Sequence, residues 1–132
     1  MHVSIQNFAG VPATVVVNAG DPVVFSNSDS VAHTATAAQL NGPYPGRTDA
    51  TGNLYIPDRW NNRIRKVAAG TGVVTTVAGT GVSGYNGEGI VATAAQITDP
   101  LAVSVDGIGN VYIVEAAPSY RVRKVDSGTG LI

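Results

Sequence analysis

The basic side chains of this chain are concentrated in two short segments, RIRKV and RVRKV. The segments hold six of the eight arginines and lysines: Arg63, Arg65, Lys66, Arg121, Arg123 and Lys124. A row of cations of this kind could bind an acidic glycan or another anionic partner. Alternatively, the side chains are solvated along antiparallel strands and pair with Asp58, Glu115 and Asp126. The net charge of -1 favours the second interpretation and argues against nucleic acid as a partner.

The single tryptophan lies in a short polar segment, DRWNN, where a ligand could stack on it. Aromatic rings beside amide side chains on loops suit the binding of sugar rings. Trp60, Asn61 and Asn62 are therefore the candidate ligand-binding residues, with ordinary packing of a turn as the alternative. Asp49 and Asp106 each precede a Gly-Asn pair, and we expect them to form turns instead of acting as an acid and a base.

Several kinds of chemistry lack the residues that they need. The chain has no cysteine, which excludes disulfides, thiolate nucleophiles and iron–sulfur clusters. Asp29 and Ser30 lie near His33 in sequence, but adjacency does not supply the geometry of a catalytic triad. No segment contains the roughly 18 apolar residues of a membrane span. We predict a protein that is not an enzyme and has no cofactor, metal site or membrane span.

Much of the chain is repeated. ATAAQL at 35–40 recurs as ATAAQI at 92–97, and the Gly-Asn pair at 52–53 recurs at 109–110, at an offset of 57 residues. One inserted residue then makes the offset 58, which relates the two basic segments to each other. A fixed period of this length is typical of repeat architectures, in which each unit buries its apolar face against the next.

Runs rich in β-branched residues and bounded by glycine predict four short strands per unit. We expect them near 43–48, 53–57, 63–67 and 73–78, and again near 101–105, 110–114 and 121–125. The 16 glycines and 7 prolines leave room for little helix beyond a single turn at ATAAQI, so the predicted fold class is all-β. The connection at 79–99 is expected to be a functional loop or a packed Ω-loop.

These landmarks resemble NHL repeats, the blades of a family of β-propellers. The resemblance is carried by GNLYI, NNRIRKV, TGVVTTVAGTG, SGYNGEG and ATAAQI, all within residues 35–132. It implies two propeller-like, four-stranded antiparallel units at about 35–91 and 92–132. YPGRTD at 44–49 departs from the pattern, because the family has an apolar strand there, of the kind that LAVSVD provides at 101–106.

Residues 1–34 form a separate N-terminal segment with two possible interpretations. VVVNAGDPVVFSNSDSVAHTAT at 15–36 resembles the front half of a cupredoxin, in which His33 would be a copper ligand. A blue-copper site also needs a second histidine and a cysteine, so a copper-binding electron-transfer function is the least favoured. Alternatively, TVVVNAGD resembles the last strand of a blade and would complete a unit. Both interpretations place strands near 14–18 and 22–26, with another strand at 2–8.

Two blades cannot close a ring, so their open sheet edges should favour association. We expect a structural and interaction module that assembles with copies of itself through these edges and through exchange of N-terminal strands, into a closed oligomer or a filament. The expected donor is the segment 1–12, with Val3, Ile5 and Phe8 at the interface. A carbohydrate-binding oligomeric propeller is the alternative. The resemblance implies a bacterial protein at the cell surface or outside the cell, although no signal peptide is visible.

Overall fold

Residues 23–26, 32–35 and 40–132 are described by a computed structural model of the chain. In these residues the strands form antiparallel sheets, and the helical segments are two short 3₁₀ turns, Arg59–Asn61 and Ala92–Ala94. The prediction of an all-β fold is therefore confirmed. The second 3₁₀ turn lies in ATAAQI, where a single helical turn was expected.

The described residues contain nine strands in three sheets. In chain order they are β1 Val23–Ser26, β2 Ala32–Ala35, β3 Arg47–Thr48, β4 Leu54–Asp58, β5 Arg63–Val67, β6 Val74–Ala78, β7 Pro100–Val105, β8 Val111–Glu115 and β9 Val122–Val125. β1 and β2 pair with each other, β3 to β6 form a four-stranded sheet, and β7 to β9 form a three-stranded sheet. The sheets are not closed into a barrel or ring. Within each sheet, every strand pairs with the strand that precedes or follows it in the chain, as expected for tandem units built from hairpins.

The first strand of the four-stranded sheet is much shorter than the equivalent β7. Only Arg47 and Thr48 pair regularly with β4, whereas β7 extends over six residues. The segment before β3 contains Pro43, Pro45 and Gly46, and proline has no N–H to donate to a ladder. The prediction of a strand over the whole of 43–48 is therefore wrong, because the strand is confined to Arg47–Thr48. The difference lies where YPGRTD departs from the repeat pattern.

The same hydrogen-bonded turn joins the first two strands of each unit. The Asp106 carboxylate accepts from the backbone of Ile108 and Asn110, from the Asn110 amide at 2.8 Å, and from the Tyr112 hydroxyl at 3.2 Å. Asn110 Oδ1 in turn accepts from the backbone of Ser127. The first unit repeats this network with Asp49, Thr51, Asn53, Tyr55 and Ala69. The repeated Asp and Gly-Asn landmarks therefore encode a turn.

The apolar core lies between the four-stranded and three-stranded sheets. β7 packs against β3 and β4 of the first unit. The core includes Ile64 of β5, Ile113 of β8, and Ala92, Ala95 and Ile97 from the connection between the units, all of them buried. Because the connection contributes side chains to this core, the 79–99 segment is a packed loop and not a solvated linker.

The second unit has three strands in the described part of the chain, at the three positions that were predicted for it. After β9 the chain makes the turn that follows β5, and the Asp126 N–H donates to the Leu131 carbonyl as the Ala68 N–H donates to that of Val73. A single bridge then joins Leu131 to Val91. The strands expected at 2–8 and 14–18, with Val3, Ile5 and Phe8, lie outside the described residues.

The described residues also bear on two smaller expectations. β1 lies within the strand expected near 22–26, while β2 was not among the predicted strands. None of the described helices is both long and apolar enough to cross a membrane.

Candidate functional site

Asp49 and Asp106 have lowered pKa values because the turns surround their carboxylates with donors. Burial raises the pKa of each group, but hydrogen bonds led by those from Asn53 and Asn110 outweigh burial. The pKa of Asp49 falls from 3.8 to about 2, and that of Asp106 is lowered in the same direction. Each carboxylate is thus an ionised acceptor within its own turn, in the role expected from the sequence.

A second carboxylate recurs at the end of β4 and of β8, and both copies are buried. Asp58 accepts from the backbone of Asn41 at 2.8 Å and from the side-chain amide of Asn61. Its equivalent, Glu115, accepts from the backbone of Thr98 at 3.1 Å. In both units the carboxylate therefore anchors the chain that leads into the first strand.

Arg123 connects Glu115 to the loop between the units. The guanidinium donates to the carbonyl oxygens of Gln96 and Gly87, both at 2.8 Å. It also lies 3.4 Å from a Glu115 oxygen and 3.0 Å from a Glu88 oxygen. Because Arg123 is only 3% exposed, it is an internal support of the loop and cannot bind an anionic partner from solution.

The other basic residues of these strands have different surroundings. Lys124 is exposed and lies 3.2 Å from Asp126, while Arg63 donates to the Thr80 carbonyl. Arg121 lies 4.1 Å from the centre of the Tyr85 ring. The basic segments therefore do not form one solvated row. The predicted pairing with Glu115 and Asp126 is confirmed for Arg123 and Lys124, whereas the predicted exposure to solvent is wrong for Arg123.

An ion pair that the repeat does not duplicate joins the two units. The Arg59 guanidinium makes two hydrogen bonds to the Asp99 carboxylate, and this bonding raises the pKa of Arg59. The backbone N–H of Asp99 donates to Asn62 Oδ1 at 3.1 Å. At the equivalent positions the chain has Gly42 and Ala116. The pair is thus specific to this one junction, and the sequence repeat gives no sign of it.

Of the three predicted ligand-binding residues, Trp60 is exposed, whereas Asn61 and Asn62 are half-buried. Trp60 is 64% exposed, and its ring lies over Gly42, where an added Cβ would be 2.7 Å from Cδ2. Asn61 donates to Asp58, and Asn62 is bonded to the backbone of Asp99. The two asparagines therefore hold the turn that displays Trp60.

An open groove of about 390 Å³ lies between the two sheets. Among the described residues its charged lining side chains are Lys66 and Asp126, with Tyr55, Thr93 and Ser127 nearby. Lys66 Nζ lies 5.6 Å from the centre of the Tyr55 ring. This lining contains neither a histidine nor a cysteine that could activate a nucleophile.

His33 lies on β2, where the register places its backbone opposite Phe25 of β1. In the described part of the chain no three His, Cys, Asp or Glu side chains are grouped so that they could hold a metal ion. Among the described residues, no such group accompanies His33, the copper ligand that the cupredoxin resemblance implies.

The fold and the repeated turns define an all-β protein with two tandem antiparallel units. No family model matches the chain. A similarity exists to the Protein SUPPRESSOR OF QUENCHING 1, chloroplastic, of Arabidopsis thaliana, with 30% identity over 79 residues. The aligned region is 60% of this chain but only 7% of that protein. The chain thus spans a small fraction of the length of this relative.

Proposed function

We propose that the chain is a non-enzymatic interaction module of two propeller-like units that assembles with copies of itself by adding strands to its open edges. The proposal rests on the difference between two equivalent strands. β6 covers β5, but among the described residues no strand covers β9. Val122 on β9 is 72% exposed, whereas its counterpart Ile64 is fully buried. Unpaired backbone groups beside an exposed apolar side chain favour the addition of a strand.

The proposed donor is the N-terminal region. TVVVNAGD at 14–21 resembles VVTTVAGT at 73–80, which contains β6. In the first unit Thr75 lies opposite Lys66, and the same register would set Val16 opposite Lys124. Main-chain hydrogen bonds would supply the affinity of this added strand, as in other cases of β-strand addition.

The segment 1–12, with Val3, Ile5 and Phe8, is a second donor that pairs with a neighbouring copy. The resemblance to NHL propellers supports blades that continue from copy to copy, either into a closed ring or into a filament when the contact does not close. The same resemblance is the sole support for a location outside a bacterial cell or at its surface.

Light scattering on the purified chain tests assembly directly. The wild type should have a mass that is a multiple of 13.4 kDa. Val122→Lys should reduce that mass to one chain, because an edge lysine opposes strand pairing. Ile108→Lys is the control, since Ile108 is similarly exposed but lies in the β7–β8 turn. A monomeric wild type, or an equal effect of the two lysines, would contradict the proposal.

Disulfide trapping tests the donor, because the chain has no cysteine of its own. Val16→Cys combined with Lys124→Cys should give covalent oligomers under oxidation, whereas Val16→Cys with Ile108→Cys should not. Deleting residues 1–12 should also lower the mass of the wild type. Trapping within a single chain would locate the strand in its own unit and would refute exchange between copies at β9.

A further inference from the structure

The exposed aromatic side chains of the described residues lie at one end of the two sheets, which we call the aromatic end. They are Tyr44, Trp60, Tyr85 and Tyr120. Trp60 and Tyr120 lie in the β4–β5 and β8–β9 turns, and the Tyr44 N–H donates to the carbonyl of Pro57 at the end of β4.

Two contacts show that these turns are neighbours. The Asp99 carboxylate binds Arg59, beside Trp60, and the Asp99 carbonyl accepts from the Ala116 N–H at 3.1 Å. The Ala116 carbonyl in turn accepts from the Tyr120 N–H. The turns that carry Trp60 and Tyr120 are therefore joined through Asp99.

The opposite end of the sheets has a different character. Its turns consist mainly of Asp, Asn, Gly, Ser and Thr, and in the described chain its exposed large side chains are aliphatic: Val73, Ile108 and Leu131. The tyrosines that reach this end, Tyr55 and Tyr112, use their hydroxyls to bond Asp49 and Asp106. The concentration of exposed rings is thus a property of one end and not of the whole surface.

Three of the four rings at the aromatic end, those of Tyr44, Trp60 and Tyr85, are supported from within the protein. Trp60 rests on Gly42, and Arg59 lies 5.0 Å from the centre of the Tyr44 ring while donating to the Tyr44 hydroxyl at 2.9 Å. Arg121 lies over the ring of Tyr85, 4.1 Å from its centre. Rings held in this way lose little conformational entropy when a ligand stacks on them.

The charges at this end favour an uncharged ligand. Each arginine near this end is already engaged within the protein: Arg59 is paired with Asp99, Arg63 donates to the Thr80 carbonyl, and Arg121 lies over the Tyr85 ring. A nucleic acid needs cations that are available to its phosphates. A pyranose instead offers an apolar ring face for stacking on an aromatic side chain and hydroxyls for hydrogen bonds. We propose that the aromatic end binds a neutral oligosaccharide, with one sugar stacked on Trp60 and the chain extending toward Tyr120.

Because Trp60 is the only tryptophan, its fluorescence reports this site alone. Titration with cellohexaose, maltohexaose and N-acetylchitohexaose should give a saturable change with at least one of them. Calorimetry with the same sugar should show binding lost in Trp60→Ala and weakened about fivefold in Tyr120→Ala, in line with the loss of one stacked aromatic pair.

Ile108→Ala is the matched control, because Ile108 is 78% exposed and Tyr120 is 80% exposed, at opposite ends of one sheet. It should leave the affinity unchanged. The proposal would be overturned if none of the three sugars bound saturably, or if Tyr120→Ala and Ile108→Ala had equal effects on the affinity. Salt-sensitive binding of oligothymidine in place of sugar would also overturn it. The oligomeric mass is measured separately, so failure here is distinguishable from failure of assembly.

Discussion

Replacing Arg123 by methionine should destabilise the protein more than any other change to a charged residue of β9. The guanidinium is buried and is bonded to two loop carbonyls, those of Gly87 and Gln96, and paired with the carboxylates of Glu88 and Glu115. Methionine has a similar length but replaces none of these interactions. The variant therefore leaves the buried Glu115 carboxylate without its cationic partner and two carbonyl oxygens without their donor.

The magnitude follows from the burial of Glu115, whose side chain has no exposed surface. Removing one member of a buried ion pair costs about 3–5 kcal/mol of unfolding free energy. Lys124→Met is the control on the neighbouring residue, because its partner Asp126 is also exposed. Loss of a surface pair of this kind costs less than about 1 kcal/mol.

Urea unfolding monitored by circular dichroism measures both variants, at one protein concentration because any assembly adds to the apparent stability. Arg123→Met should lower the free energy of unfolding by about 3–5 kcal/mol, and in a separate thermal melt its melting temperature should fall by roughly 10–20 °C. Adding Glu115→Met to that variant should recover part of the loss, since an apolar pair removes the uncompensated charge. If Arg123→Met and Lys124→Met had the same midpoint, the assignment of Arg123 as the support of the loop would be refuted.

Two further changes test the turns and the close backbone contacts. Asp49→Asn should cost about 1 kcal/mol at neutral pH. Burial raises the pKa of Asp49, but hydrogen bonds led by that from Asn53 lower it to about 2, so the stabilisation is present above the unfolded pKa and is lost as pH falls through the folded one. The urea midpoints of this variant and the wild type should therefore converge toward pH 2, and a constant gap would contradict this account. Gly79→Ala should cost about 2–3 kcal/mol, because its Cβ would lie 2.3 Å from the Asn62 carbonyl oxygen. Gly89→Ala, which also has positive φ but meets nothing within 4 Å, should cost about 1 kcal/mol in thermal melts; equal losses would show that the contact is unimportant.

The strands could be predicted from sequence because their signals are local. β-branched runs between glycines located seven strands in the two units to within a few residues, apart from β3, where the prolines shorten the pairing. The turns could also be predicted from the sequence, because Asp106 accepts hydrogen bonds from residues no more than six positions away. The hydrogen bonds of these turns are determined by a short stretch of chain. Because that stretch occurs in both units, the pattern in one unit supported the prediction of a turn in the other.

Only part of the candidate site could be predicted from the sequence. Trp60 could be chosen because a lone aromatic residue in a polar turn is visible in sequence, but its companions Tyr44 and Tyr120 were missed. Asn61 and Asn62 were predicted as ligand contacts because they lie beside an aromatic residue in a polar turn, and that role stays a prediction. Their bonds to Asp58 and Asp99 depend on how the turn meets the next unit, and no local pattern contains that information.

The sequence alone therefore determined the fold class, the repeat, the positions of most strands and the turn-forming role of the paired aspartates, because each depends on residues close together in the chain. Only the tertiary structure decided that Arg123 is buried while Lys124 beside it is exposed. It also decided that Arg59 meets Asp99, 40 residues away. The physical reason is that the surroundings of a charged side chain depend on the segments that pack over it, and those segments come from distant parts of the sequence.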